Sequence, residues 1–172
     1  METKRLLIRR FTPGDWCDLY EYLSQEAVVF YEPYGVFTEE ESMREAERRS
    51  DDDDFWAVCL IENNKLIGNI YLSKRERETW ELGYVFNADF HGRGYATEAA
   101  RAVVGAAFKN HGARNVIAKC NPLNRPSWRL LERLGMRREG HYIKNVWFKK
   151  DENGRPIWHD TYEYRVSAEE WN

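Results

Sequence analysis

Apolar residues recur along the 172-residue chain with two different periods, and the switches between them mark its elements. The clearest helical face is Ala96, Ala99, Ala100, Val103, Val104, Ala107 and Phe108, which fall at i, i+3, i+4, i+7, i+8, i+11 and i+12. A period of two runs through TWELGYVFN (79–87). There Trp80, Leu82, Tyr84 and Phe86 are apolar, and the intervening positions are mostly small or polar. RLLIRRF (5–11), FWAVCLI (55–61) and KLIGNIYLS (65–73) read as further strands, the last two joined by a tight turn at Asn63-Asn64. NVIAKC (115–120) reads as a buried strand, and HYIKNVWFKK and HDTYEYRVS as two long strands around the turn DENGRP.

Helix boundaries are marked by capping chemistry. Thr12-Pro13 offers an N-cap followed by proline at the first helical position, with Asp15 three residues after the cap, and this helix runs to about Leu23. Thr38 with Glu41 forms a capping box for a second helix that runs to about Arg49. His111-Gly112 ends the alanine-rich helix, and Gly135 ends a short one over RPSWRLLERL (125–134). The order β-α-α-β-β-β-α-β-α-β-β predicts an α+β fold with a mixed sheet, because the strand-helix-strand unit from 79 to 120 implies a parallel pair joined by a right-handed crossover.

Composition narrows the class. The length fits a single domain spanning 1–172. A net charge of −3 carries no footprint of a nucleic-acid partner. Cys17, Cys59 and Cys120 lack CxxC spacing and read as buried free thiols in a reducing compartment. The amphipathic N-terminus has no apolar leader core, and no stretch has the length of a membrane span, so a cytoplasmic protein with no membrane partner is expected. Four scattered histidines offer no metal set. The runs DDDD (51–54) and EEE (39–41) read as solvated faces before they read as attractors of a cationic ligand.

One stretch carries chemistry on its own. HGRGYATEAA (91–100) places two glycines between a strand and a helix start, where helical N–H groups have no intrahelical partners and the dipole is positive. Gly92 and Gly94 remove Cβ atoms where an anion must approach the backbone. Arg93 and the Thr97 hydroxyl can add contacts. The same glycines also serve as simple turn residues. The motif is neither G-x-G-x-x-G nor a Walker A.

ELGYVFNADFHGRGYATEAA, followed by NPLNRPSWRLLERLGMRREG, resembles the two signature segments of the GNAT (Gcn5-related) N-acetyltransferases, closest to the RimJ/RimL-like branch that includes ribosomal-protein N-terminal acetyltransferases. The resemblance implies a GNAT fold: about seven mostly antiparallel strands, splayed between strands 4 and 5, with about four flanking helices. It implies acetyl-CoA as cosubstrate, no metal, and an amine acceptor such as a peptide N-terminus, polyamine, amino acid or drug-like amine. Dimerisation is common in that family. The pyrophosphate motif Q/R-x-x-G-x-G/A maps onto His91-Gly92-Arg93-Gly94-Tyr95-Ala96, with His91 departing from the usual Gln or Arg. Backbone groups at Val85, Phe86 and Asn87 are expected along the pantetheine arm, as is Asn124, which also suits a cap for the following helix.

The resemblance also nominates catalytic residues. Glu81 lies where family members carry a carboxylate that frees the amine, directly or through a water. A salt bridge with the KRERE segment is the alternative reading. Ser127 matches the serine of the RimL-like branch near the sulfur, and equally suits a helix start; the tyrosine many relatives use is Leu131 here. A backbone N–H near Val85 or Phe86 would polarise the thioester carbonyl. No cysteine has a His/Asn partner pattern, so direct attack in a ternary complex is expected. FYEPYGVF (30–37) lies where this fold covers the acceptor site, so its aromatics line a pocket, a dimer contact or the core. The alternative function is a non-catalytic acyl-CoA sensor on the same fold.

Overall fold

A computed structural model describes residues 1–171. Its strands are β1 (Leu6–Arg9), β2 (Phe55–Leu60), β3 (Leu66–Lys74), β4 (Thr79–Phe86), β5 (Asn115–Cys120), β6 (Arg137–Lys150) and β7 (Pro156–Ser167). They form one sheet in the order β1-β2-β3-β4-β5-β7-β6. All neighbours are antiparallel except β4 and β5, as the crossover argument requires.

The helices are α1 (Trp16–Leu23), α2 (Glu26–Val29), α3 (Glu39–Ser50), α4 (Tyr95–Asn110) and α5 (Arg125–Arg133), with 3-10 turns at Pro13–Asp15 and Ala88–Phe90. The fourth helix expected from the sequence is thus joined by a fifth, the single turn α2. Four residues are too few for the helical period to emerge, so α2 was hidden. The capping box at α3 forms as predicted: the Glu41 amide donates to Thr38 Oγ1 at 3.2 Å, and the Thr38 amide donates to Glu41 Oε2 at 2.8 Å. Of the three cysteines expected to be buried free thiols all are free, but Cys59 alone is buried, Cys120 being half-buried and Cys17 on α1 exposed.

Alternation along the strands builds two cores, one on each face. Val58 and Leu60 of β2 join Ile67, Ile70, Leu82 and the α4 residues Ala99, Ala100, Val103, Val104 and Ala107. Ala57 and Cys59 turn the other way and meet Leu19, Tyr22, Leu23, Val29 and Ala46 from α1, α2 and α3. Each fully buried Leu or Val contributes about 1.5–3 kcal/mol, so the small alanines of α4 matter chiefly by letting that helix lie close to the sheet.

What positions the site is a break in pairing. β4 and β5 run in register from Thr79↔Asn115 to Leu82↔Ala118 and no further. β4 continues to Phe86 paired with β3 alone, and Phe86 faces Gly68 of β3. A Cβ at Gly68 would stand 2.6 Å from the Phe86 ring and from Val85 O, so only glycine lets the two strands close there. The segment Gly83–Phe86 therefore presents an open backbone edge inside the sheet.

Candidate active site

A cleft of about 1570 Å³ runs along that open edge, from the start of α4 past α5 to the β6–β7 hairpin. Of the residues the sequence nominates, Glu81, Val85, Phe86, Gly92, Gly94, Tyr95, Ala96, Thr97, Asn124 and Ser127 line it together. Arg93 and Asn87 do not. The Arg93 guanidinium lies 5.6 Å from the Phe90 ring, and its carbonyl accepts from Arg5 Nη1 at 2.9 Å. Asn87 is fully buried. Its amide donates to Glu21 Oε1 at 2.8 Å and accepts from Gln25 Nε2 at 3.1 Å, so this side chain locks α1 to the end of β4.

The glycine turn has the backbone shape an anion site needs. Gly92 and Gly94 have φ of 74° and 80°, in the left-handed region that favours glycine. Gly94 is the N-cap residue of α4, and the first bond back to it comes from the Glu98 amide at 3.0 Å. The amides of Tyr95, Ala96 and Thr97 thus leave the helix start without helical acceptors. A Cβ at Gly92 would meet nothing within 4 Å, so the open space lies outside this turn and not within the protein's own packing.

Two contacts brace the turn. His91 Nε2 lies 2.9 Å from Phe86 O; a carbonyl only accepts, so the ring donates from Nε2 and ties the loop to the end of β4. That gives a structural role to the side chain which departs from the family motif. From just before β1, Arg5 forms an ion pair with Glu98 at 2.7 Å and stacks 4.4 Å above the Tyr95 ring.

Sequence reasoning missed the cations of the cleft. Arg125, Arg129 and Arg133 of α5 all line it, and Arg133 Nε donates to Thr97 Oγ1 at 3.3 Å. Their i, i+4, i+8 spacing was the available signal, because it places three guanidinium groups on one side of α5. Arg133, bonded to Thr97 beside the free α4 amides, helps make an anion-binding end of the cleft suited to a diphosphate, while Arg125 and Arg129 lie further along α5 toward Ser127.

At the other end, Asn124 Oδ1 accepts from the Ser127 amide at 3.3 Å, the capping role weighed for it, while its side chain also borders the cleft. The Tyr84 hydroxyl lies 2.9 Å from Ser127 Oγ and donates to Ser127 O at 3.0 Å. Burial pushes the Tyr84 hydroxyl above the usual tyrosine range, partly offset by Ser127, so it keeps its proton at neutral pH. Burial likewise pushes the Cys120 thiol up to about 11, again partly offset by Ser127. Glu81 is in the ion pair that was its alternative reading, with Arg75 Nε 2.8 Å from Oε2. Arg75 Nη2 also reaches the Tyr71 hydroxyl at 3.1 Å.

A second cavity of about 410 Å³ opens beside the first and is lined by Tyr34, Phe37, Phe55 and the α3 residues Glu45, Arg48 and Arg49. The aromatics of 30–37 therefore divide between cavity wall and core, with Tyr34 and Phe37 packed edge to face at 5.3 Å. No group of three or more His, Cys, Asp or Glu able to hold a metal occurs among the described residues. No helix among them is long and apolar enough to cross a membrane.

Known proteins share this fold. The model of the acetyltransferase (GNAT) domain matches residues 5–137. The uncharacterized N-acetyltransferase YnaD of Bacillus subtilis (strain 168) is 42% identical over 172 residues, covering 99% of this chain and 98% of YnaD. A crystal structure of a GNAT-family acetyltransferase from Bacillus anthracis superposes with a TM-score of 0.91 at 38% identity, covering 99% of each chain. In fold alone, the chain also matches a spermidine N-acetyltransferase from Vibrio cholerae, solved with CoA and spermine, with a TM-score of 0.80 at 16% identity over 98% of each chain.

Proposed function

Because the chain belongs to the GNAT acetyltransferase family and is an N-acetyltransferase, we propose that it transfers the acetyl group of acetyl-CoA to a primary amine by direct attack in a ternary complex. The observation that carries this reading is the continuous cleft, with free amides and Arg133 at one end and the Tyr84–Ser127 pair at the other. The diphosphate of acetyl-CoA fits the first, and its pantetheine arm fits the unpaired edge Gly83–Phe86 as an added strand.

The thioester then lies between β4 and α5. A free amide of the splayed strand polarises its carbonyl, and the Ser127 hydroxyl, held by Tyr84, protonates the departing sulfur. A Cys120 thiol held near 11 is no thiolate at neutral pH, which favours direct attack over an acetyl-cysteine intermediate. The amine must lose a proton first. An alkylammonium of pKa about 10.4 is only about 0.1% neutral at pH 7.4. The sequence nominates Glu81 for that proton, a carboxylate already bonded to Arg75.

Acceptors of this reading are a protein N-terminal α-amine, as in the RimJ/RimL-like branch, or a small-molecule amine such as a polyamine. The test is CoA-thiol release from acetyl-CoA with spermidine, lysine, phenethylamine and a Ser-initiated peptide. Turnover with at least one is expected. Stoichiometric acetyl-CoA binding with no release on any of them overturns the proposal.

A further inference from the structure

One carboxylate stands where the two cavities meet. Glu32 lies in the loop between α2 and α3, where its amide donates to Val29 O at 3.0 Å and turns the chain back over the sheet. Among the described residues only Glu32, Tyr71, Gly83, Tyr84 and Val85 line both the cleft and the side chamber, and Glu32 is the sole carboxylate of the five. Glu81 lines the cleft alone. Glu32 thus borders the same junction as Tyr84, whose hydroxyl holds Ser127 at the sulfur end.

We propose that Glu32 is the general base of the acetyl transfer, binding the acceptor's ammonium at the mouth of the side chamber and taking its proton. The inference rests on the N-acetyltransfer proposed above.

The surroundings of Glu32 suit the task. Burial raises its pKa to about 7, and the Tyr34 hydroxyl and the Arg49 charge pull the other way without cancelling it. The charged and titratable groups that line the side chamber with it are Tyr34 on its own loop, Glu45, Arg48 and Arg49 on α3, and Tyr71 and Tyr84 on the sheet, of which Tyr34 and Arg49 act on its charge. Arg49 is committed elsewhere, to Glu45 Oε1 at 2.7 Å and Asn69 Oδ1 at 2.9 Å. Among the described residues no cation forms an ion pair with Glu32, in contrast to Glu81. An incoming ammonium supplies the missing charge. A base with a pKa near the working pH is both largely available and strong enough to compete for the proton, which a carboxylate at about 4.3 is not.

The step balances as follows. The ammonium gives one proton to the Glu32 carboxylate, and the freed lone pair forms a C–N bond at the thioester carbonyl. The C–S bond then breaks, the sulfur takes a proton from the Ser127–Tyr84 hydroxyls, and the nitrogen's second proton replaces it. Glu32 returns its proton to solvent, leaving amide, CoA thiol and one released proton.

The experiment is kcat/KM against pH from 5.5 to 9, using whichever of the four amines named above turns over fastest. Wild type should show a rising limb with a midpoint near 7. Glu32→Gln should lower kcat/KM at pH 7 by about 100-fold or more and abolish that limb, its rate climbing on with the neutral amine. Its acetyl-CoA affinity by calorimetry should stay within about twofold of wild type. Glu81→Gln should keep the limb where it is. Should Glu32→Gln fail to fold, Glu32→Asp takes its place, with a lower kcat and a displaced limb expected. A limb that persists in Glu32→Gln, is unmoved in Glu32→Asp, or disappears in Glu81→Gln overturns the assignment while leaving N-acetyltransfer intact. Failure of wild type on every amine instead removes the proposed function, and this inference with it.

Discussion

The Tyr84 hydroxyl, on the sheet, lies 2.9 Å from Ser127 Oγ, on a helix 43 residues away, and donates to the same residue's carbonyl at 3.0 Å. One side chain therefore fixes both the backbone and the hydroxyl of the residue assigned to the leaving sulfur. Ser127→Ala should lower kcat by about 10–100-fold with little change in the KM for acetyl-CoA. Tyr84→Phe should lower kcat less, and cost about 1 kcal/mol of stability for the lost hydrogen bonds. Steady-state kinetics with a thermal melt separate the two effects. Equal kcat in wild type and Ser127→Ala would remove the serine from the chemistry.

The glycine turn gives a second prediction. At Gly94, φ is 80° and an added Cβ would meet Arg5 Nη2 at 3.5 Å, an ordinary contact. The penalty for a side chain there is conformational, about 1–2 kcal/mol. Gly94→Val should thus distort the start of α4 and weaken acetyl-CoA binding by about tenfold or more, a loss of about 1.4 kcal/mol or greater. Titration calorimetry reads this directly, and unchanged affinity would refute the cradle.

Arg133 tests the anion-binding end. Its Nε donates to Thr97 Oγ1 beside the free α4 amides. Arg133→Gln should raise the Kd for CoA by several-fold and flatten its dependence on salt, because exposed charges are screened within about 10 Å at 0.1 M ionic strength. Affinity that responds to salt as strongly as in wild type would place the arginine outside the binding site.

Away from the cleft, Asp15 predicts a pH dependence of stability. Its carboxylate accepts from Arg9 Nη2 at 2.7 Å and from the Thr12 amide at 2.7 Å. Burial pushes its pKa up, but Arg9 and Thr12 together outweigh that and leave it below the ordinary value. A depressed folded-state pKa means stability that is complete above the unfolded value of about 3.9 and lost as pH falls through the folded one. Asp15→Asn should cost about 1–3 kcal/mol at pH 7 and progressively less below pH 4, measured by urea denaturation. A gap that is constant with pH would contradict the linkage.

How far these features could be read beforehand follows from how locally each is encoded. The apolar face of α4, the caps at Thr12 and Thr38, and the glycine turn are written within a few residues, and the structure has them where the pattern puts them. Arg93 and Asn87 do not line the cleft, and the groups that hold them come from afar. Arg5 draws the Arg93 carbonyl across 88 positions, and Glu21 claims the Asn87 amide across 66. Glu81 offered two readings in the sequence, and Arg75, six residues before it, supplied the ion pair. Glu32 lies in the segment 30–37 that the resemblance put over the acceptor site, but nothing local marked it within that segment. Its raised pKa arises from burial among Tyr34, α3 and β4, and no window of sequence contains all three.

The end of β4–β5 pairing after Leu82↔Ala118 has one more consequence. A strand edge left bare at the margin of a sheet invites another polypeptide to dock and aggregate. Here the bare edge lies in the interior of the sheet, with β5 still beside it. The donors and acceptors on that side of Gly83–Phe86 therefore face a cleft within the fold and not the outer margin of the sheet. The fold thus keeps the pairing capacity of a strand available inside its cleft while withholding it from the margin, where neighbouring chains would meet it.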